Sequence, residues 1–141
     1  QNLHPEQKFS KHADGSRPRV LYAEGSTAAR IGTTGMLKRM GLEVDAVEDG
    51  ELALRQAEKS LYDVILLDIM MPKMNGHEVL QKLRLDTWGK EVPVLLLTNF
   101  DDATNISKGV ELKSDDYIIK SQESLSAIVK KVKQHITGYH D

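Results

Sequence analysis

Four residues carry the chemistry that this sequence offers most plainly: Glu24, Asp68, Thr98 and Lys120. Each stands directly after a short apolar run. Glu24 follows Val20-Leu21-Tyr22-Ala23, Asp68 follows Val64-Ile65-Leu66-Leu67, Thr98 follows Val94-Leu95-Leu96-Leu97, and Lys120 follows Tyr117-Ile118-Ile119. A single polar residue in such a place marks only where an apolar strand meets water. Four of them, ending four separate runs, would be a site if the fold gathered them together. Two carboxylates, a hydroxyl and an ammonium group offer oxygen ligands for a hard cation and donors for an anion.

The elements that must position them can be read from periodicity. A fifth β-rich run lies at residues 44–47. Between the runs the apolar residues take helical spacing. Ala28, Ile31, Met36, Leu37 and Met40 predict a first helix; Leu52, Leu54 and Ala57 a second; Val79, Leu80 and Leu83 a third. Ile106, Val110 and Leu112 predict a fourth, and Leu125, Ile128, Val129, Val132 and Ile136 a fifth. Alternating strands and helices imply parallel strands with crossover helices on both faces. The runs around Leu66 and Leu96 are apolar at consecutive positions, as expected for central strands covered on both sides. The smallest architecture that fits is an α/β doubly wound five-stranded parallel sheet of order 2-1-3-4-5, flavodoxin-like, over residues 19 to about 136. Such sheets bind ligands beyond the carboxyl ends of the strands, where strand order reverses. That is the edge to which Glu24, Asp68, Thr98 and Lys120 belong.

Composition narrows the function classes. The chain has 141 residues, which fits one domain of ordinary size, and residues 1–18 read as a polar flexible leader before a domain at 19–138. There is no cysteine, so disulfides and thiolate metal sites are excluded. No apolar run approaches the length of a membrane span, and the first residues carry charge rather than a signal-peptide core. A cytoplasmic location, with no membrane contact, is the expectation. A net charge of −2 and 5% aromatic residues argue against nucleic-acid binding by this domain alone.

The stretch Val64-Ile65-Leu66-Leu67-Asp68-Ile69-Met70-Met71-Pro72-Lys73-Met74-Asn75-Gly76 resembles the signature of response-regulator receiver domains of two-component signalling, chemotaxis-Y-like, in which an apolar strand ends in an acceptor aspartate. Glu48-Asp49-Gly50, residues 93–98 and Asp116-Tyr117-Ile118-Ile119-Lys120 extend the likeness in the same order and spacing. The resemblance implies that Asp68 takes a phosphoryl group from a histidine kinase, a phosphotransfer protein or a small phosphodonor. It implies that Lys120 contacts a phosphoryl oxygen, and that Thr98 donates its hydroxyl to another. Mg²⁺ would be held by Glu24, Asp68 and the backbone carbonyl of Met70. Thr98 and Tyr117 would move together as the switch, and a downstream protein partner would read it. On this reading the domain is a signalling switch, not an enzyme.

Four departures from the family pattern stand out. The usual pair of acids after the first strand is Glu24-Gly25, so the position whose aspartate contacts the metal has no side chain. Metal binding is therefore expected to be weak. Asn99 and Phe100 are larger than the small residue expected after Thr98. Ser121 replaces the proline expected after Lys120. Met70, two residues past Asp68, cannot act as a base toward water.

Two other readings compete. A degenerate receiver would keep the fold as a phosphorylation-independent protein-interaction module, which Glu24-Gly25 favours. A flavodoxin-type carrier would cradle a phosphate at Gly25-Ser26-Thr27, although Ser26 or Thr27 more simply caps the first helix. Trp88 and Tyr22 are placed as flavin walls by no motif. His77 is expected at the surface, and His135 and His140 have no partners at ligand spacing. Lys130, Lys131, Lys133 and His135 give the last helix a basic end that suits its dipole. The fourth and fifth helices with the last strand offer Lys108, Lys113, Asp115, Asp116 and Lys130, a mixed-charge face through which a homodimer could pair.

Overall fold

Unbroken runs of valine, isoleucine and leucine are covered on both faces only inside a parallel sheet, and two of the runs lie there. The computed structural model describes residues 15–86, 89–98, 114–120 and 124–136. Within them β1 (Arg19–Ala23), β2 (Glu43–Val47), β3 (Val64–Asp68), β4 (Val94–Thr98) and β5 (Asp116–Ile119) form one sheet. All pairings are parallel, and the order is β2-β1-β3-β4-β5. Every residue of β3 and β4 is buried, whereas the edge strand β2 has none fully buried. This is the doubly wound sheet that the patterning predicts.

Four helices cover the sheet among the described residues: α1 (Thr27–Arg39), α2 (Gly50–Lys59), α3 (Gly76–Arg84) and a last helix, Leu125–His135. On one face α1 and the last helix bring Leu37, Met40, Ile128, Val129 and Val132 onto Val20, Tyr22, Leu66, Leu95 and Leu97. On the other, α2 and α3 bring Ala53, Ala57, Val79, Leu80 and Leu83 onto Leu21, Ala23, Ile65, Leu67 and Leu96. Alternation along each strand divides its side chains between these two cores. No helix of the described residues is long and apolar enough to cross a membrane. The predicted fourth helix with Ile106, Val110 and Leu112 lies outside the described residues, as do Trp88, Asn99, Phe100, Lys108, Lys113, Ser121, His140 and residues 1–14.

Several predicted faces need correction. Ile31 is 68% exposed. The buried side of α1 runs through Thr33, Leu37 and Met40, and Ile31, six residues before Leu37, lies about 120° round the helix from it. Leu52 and Leu125, in the first turns of their helices, are also exposed; α2 buries Ala57 as expected, with Ala53 in place of Leu52. His77 is buried, not at the surface. The first turn of α3 is pressed onto the end of β3: a Cβ on Gly76 would lie 2.6 Å from the Asp68 carbonyl oxygen. That close approach draws the neighbouring His77 inside.

The loops at the carboxyl edge are tied to helix starts. Asn75 caps α3 in a reciprocal box with Glu78. Asp49 caps α2 by accepting from Leu52 N at 2.8 Å. Its other oxygen lies 3.8 Å from Lys73 Nζ. Lys73 has φ of 67° and is spanned by Met74 N donating to Pro72 O at 2.7 Å, a γ-turn that seats the β3–α3 loop against α2. Gly50 makes that seat possible, since a Cβ there would collide with the Met74 carbonyl.

Candidate functional site

Three of the four strand-end residues, Glu24, Asp68 and Lys120, are brought together. β1 ends at Ala23, so Glu24 is the first residue beyond it, and Lys120 is the first beyond β5. Asp68 and Thr98 are the final residues of β3 and β4 rather than the residues after them. By alternation Glu24, Asp68 and Lys120 continue the rows of Tyr22, Leu66 and Ile118, the face that α1 and the last helix cover. Lys120 Nζ donates to Glu24 Oε1 at 2.6 Å and lies 3.5 Å from Asp68 Oδ2. Glu24 is 1% exposed and Asp68 3%. Two buried carboxylates thus share one ammonium group.

Each carboxylate has further donors. Met70 N donates to Asp68 Oδ1 at 3.2 Å. Ser26 N donates to Glu24 Oε2 at 3.1 Å, and Tyr22 Oη donates to Glu24 Oε1 at 3.2 Å. Ser26 also caps α1, its hydroxyl accepting from Ala29 N at 3.3 Å, which is the cap reading of Gly25-Ser26-Thr27. Arg30 reaches back from α1 to the Glu24 carbonyl at 2.7 Å.

The charges do not balance, since two carboxylates face one ammonium group. Burial, the hydrogen bond shared with Glu24 and the Glu24 charge push the Asp68 carboxyl up to about 7. Burial also opposes the charge on Glu24. Its hydrogen bonds from Asp68, Lys120 and Ser26 outweigh that and hold it below the ordinary carboxylate range. Asp68 is therefore the member of the pair that keeps the proton when no further cation is present.

Thr98 is fully buried, and its carbonyl accepts from Lys120 N at 2.7 Å. By alternation it continues the row of Val94 and Leu96, against which Tyr117 is half-buried, so Thr98 and Tyr117 share a side of the sheet. The Met70 side chain is 62% exposed while its backbone faces the crevice. A Cβ on Gly25 would lie 3.3 Å from the Met70 carbonyl oxygen. A side chain at position 25 would thus enter the crevice beside that carbonyl, as the resemblance requires of the missing acid. Glu24, Asp68 and the Met70 carbonyl are hard oxygen donors of the kind that suits Mg²⁺, and a cation would relieve the excess negative charge. No group of three or more His, Cys, Asp or Glu side chains that could hold a metal is found among the described residues.

Sequence reasoning overlooked Tyr22 and Ser26 as parts of the site. A tyrosine among aliphatic strand residues, two positions before a buried acid and hence on its face, was the available signal. On the expected mixed-charge face, Asp115 is exposed and its Oδ2 accepts from Arg84 Nη2 at 3.0 Å and Val94 N at 2.8 Å. Asp116 is likewise engaged, with His135 Nε2 at 3.0 Å and Lys131 Nζ at 3.7 Å. Burial opposes its charge, yet the Tyr117 N–H, His135 and Lys131 together hold its carboxyl below the usual range.

This arrangement has known counterparts. The response regulator receiver domain family matches residues 20–133. The chain belongs to that family. Among curated relatives of the receiver, the transcriptional activator protein IrlR of Burkholderia pseudomallei is 41% identical over 102 residues, 69% of this chain and 43% of the relative. The transcriptional regulatory protein HprR of Escherichia coli is 33% identical over 122 residues, 86% of this chain and 53% of the relative. The receiver thus spans about half the length of such relatives. Its fold superposes on the chemotaxis protein CheY4 of Vibrio cholerae with a TM-score of 0.81 at 26% identity, covering 86% of this chain and all of that one. It also shares the fold of the receiver domain of a Pseudomonas aeruginosa sensor histidine kinase, whose structure holds a magnesium ion in its active-site cleft (TM-score 0.78, 24% identity, 85% and 98% covered).

Proposed function

We propose that this receiver is a phosphorylation-driven switch in which Asp68 accepts a phosphoryl group from a partner histidine kinase or phosphotransfer protein. The observation that carries the reading is the buried pair of carboxylates, Glu24 and Asp68, facing a single ammonium, Lys120, at the switch point of the sheet. Asp68 attacks phosphorus through a carboxylate oxygen. The bond from phosphorus to the donor imidazole breaks, and the imidazole leaves with the electron pair. Lys120 is already within reach of Asp68 and stabilises the charge on the equatorial oxygens as they develop. Thr98 then takes up a second phosphoryl oxygen, and Tyr117, on the same side of the sheet, follows it. Mg²⁺, held by Glu24, Asp68 and the Met70 carbonyl, supplies charge neutralisation when bound. The magnesium in the Pseudomonas relative's cleft supports that assignment. Met70 offers no base for water, so the acyl phosphate should be long-lived.

The domain transfers one group to itself and turns over no substrate of its own, so it is a switch rather than an enzyme. Its output is a protein surface on β5 and the last helix, read by a downstream partner or by a second copy, in the cytoplasm. One observation favours the degenerate alternative: Gly25 leaves the cation one carboxylate short.

Incubation with acetyl phosphate and saturating Mg²⁺, followed by intact-mass measurement, separates the two. One added phosphoryl group in the wild type and none in Asp68→Asn is the expected result. An adduct that persists in Asp68→Asn refutes the site, and no adduct in either protein moves the reading to the interaction module.

A further inference from the structure

We infer that Tyr22 is a positioning residue that turns the Glu24 carboxylate toward Asp68, so that Glu24 serves the cation in place of the acid missing at position 25. The inference rests on the reading of this crevice as a cation site.

Tyr22 is 1% exposed, in a strand whose neighbours Val20, Leu21 and Ala23 are purely aliphatic. A buried phenol needs a partner, and burial without one is costly. Its hydroxyl donates to Glu24 Oε1 at 3.2 Å; the Ala29 carbonyl on α1 lies farther away, at 3.5 Å. The shorter of the two contacts directs the phenolic proton to the Glu24 carboxylate.

Glu24 is longer than the aspartate it replaces, and a longer side chain has more rotamers to lose on binding. Three donors remove that freedom: Ser26 N fixes Oε2, while Tyr22 and Lys120 fix Oε1. Of these, Lys120 must be shared with Asp68, and through it with any phosphoryl group. Tyr22 is committed to Glu24 alone among the carboxylates. Its ring stands in the wall of a cleft of about 300 Å³ between α1 and the last helix, lined also by Ala28, Ala29, Gly32 and Ile128. Without the hydroxyl, Glu24 can rotate into this space and away from Asp68.

The test is calorimetric titration with Mg²⁺ alone, beside thermal melting of the metal-free proteins. Tyr22→Phe keeps the ring and the packing. It is expected to weaken the Mg²⁺ dissociation constant about tenfold, as for loss of a hydrogen bond to a charged group, with little change in melting temperature. In a Glu24→Gln background, already weak, the same substitution should change nothing. Equal weakening in both backgrounds overturns the inference, because the hydroxyl then acts on something other than Glu24. An unchanged dissociation constant in Tyr22→Phe, with Glu24→Gln clearly weaker, also overturns it while leaving the cation site standing. No Mg²⁺ binding by the wild type, or none lost in Glu24→Gln, removes the cation reading itself and the role of Tyr22 with it. Should Tyr22→Phe melt early, the titration is repeated well below its melting temperature, where the same weakening of about tenfold is expected.

Discussion

Where the strands begin, Arg84 donates to the Gly89 carbonyl at 2.6 Å, to the Val92 carbonyl at 2.8 Å and to Asp115 at 3.0 Å. Asp115 also takes the Val94 N–H. Nearby Arg19 stacks 5.0 Å over the Tyr62 ring and pairs with Asp45, which Tyr62 Oη also reaches, at 2.6 Å. At this end Arg84 and Arg19 each pair with a different carboxylate, Asp115 and Asp45. Where the strands finish, two carboxylates compete for Lys120. The first arrangement is closed and holds the fold together. The second is open, stable only with a proton on Asp68 or a further cation, and this imbalance is what a switch can exploit.

The sharpest way to break that contrast is to remove Lys120. Lys120→Met leaves Glu24 and Asp68 buried with no counter-charge, and loss of one partner from a buried charged cluster costs about 3 kcal/mol. Part of this should return on lowering the pH or adding Mg²⁺. Urea melts at pH 8 with and without Mg²⁺ measure it; a loss that Mg²⁺ does not recover would mean that the crevice is not short of positive charge.

At the opposite end, Arg84→Met should cost about 2 kcal/mol, since two carbonyls and a partly exposed carboxylate lose a charged donor. Because nothing there waits for a ligand, the loss should be the same with or without Mg²⁺. Recovery by Mg²⁺ in this variant would erase the distinction between the two ends.

The third prediction concerns pH in the absence of metal. Asp68 has a folded-state pKa of about 7 against an ordinary 3.8. Between these values the native state binds more protons than the unfolded chain, so stability falls as pH rises. Glu24 works in a separate, lower window. Its carboxyl is depressed, so its contribution is present above its ordinary 4.5 and is lost only as pH falls below that. From pH 5 to pH 8 in EDTA the wild type should therefore lose more than about 1 kcal/mol. Asp68→Asn, which leaves one carboxylate to one ammonium, should be flat over that range and more stable at pH 8. A wild type that gains stability over the range contradicts the assignment.

How far the sequence led differs between the same two ends. The five apolar runs are enough for the sheet order, and the polar residues closing them for the meeting of Glu24, Asp68 and Lys120, because period and strand ends are local signals. The pairing of Asp115 with Arg84 is not legible, because nothing local links it to a residue 31 positions earlier. Tyr22 read as one more apolar strand residue, since only the packing of α1 reveals where its hydroxyl goes. His77 and Ile31 were inverted because burial depends on how a helix is rotated against the sheet. In α3 that is set by a backbone approach at Gly76, and in α1 by a stripe through Thr33 and Leu37.

Gly25→Asp is the smallest change and the one that sharpens the comparison most. The backbone permits it, because Gly25 is not among the described residues with positive φ. The new Cβ would lie 3.3 Å from the Met70 carbonyl oxygen and 3.6 Å from Pro72 Cδ, so the loop after β3 must yield by a few tenths of an ångström. The carboxylate then enters a crevice that already holds Glu24, Asp68 and a carbonyl oxygen. Without metal this adds a third negative group to one ammonium, and the melting temperature should fall. With Mg²⁺ the same oxygen becomes a ligand. The dissociation constant should tighten about tenfold, equivalent to about 1.4 kcal/mol. Stabilisation by saturating Mg²⁺ should grow to match, as linkage requires. Each change taken alone has an ordinary explanation, strain for the first and added charge for the second. Their occurrence together, in opposite directions, is specific to a carboxylate placed beside the cation. A variant that melts early and binds Mg²⁺ no better would show that position 25 lies outside the cation's reach, and the weak-metal reading of this receiver would have to be withdrawn.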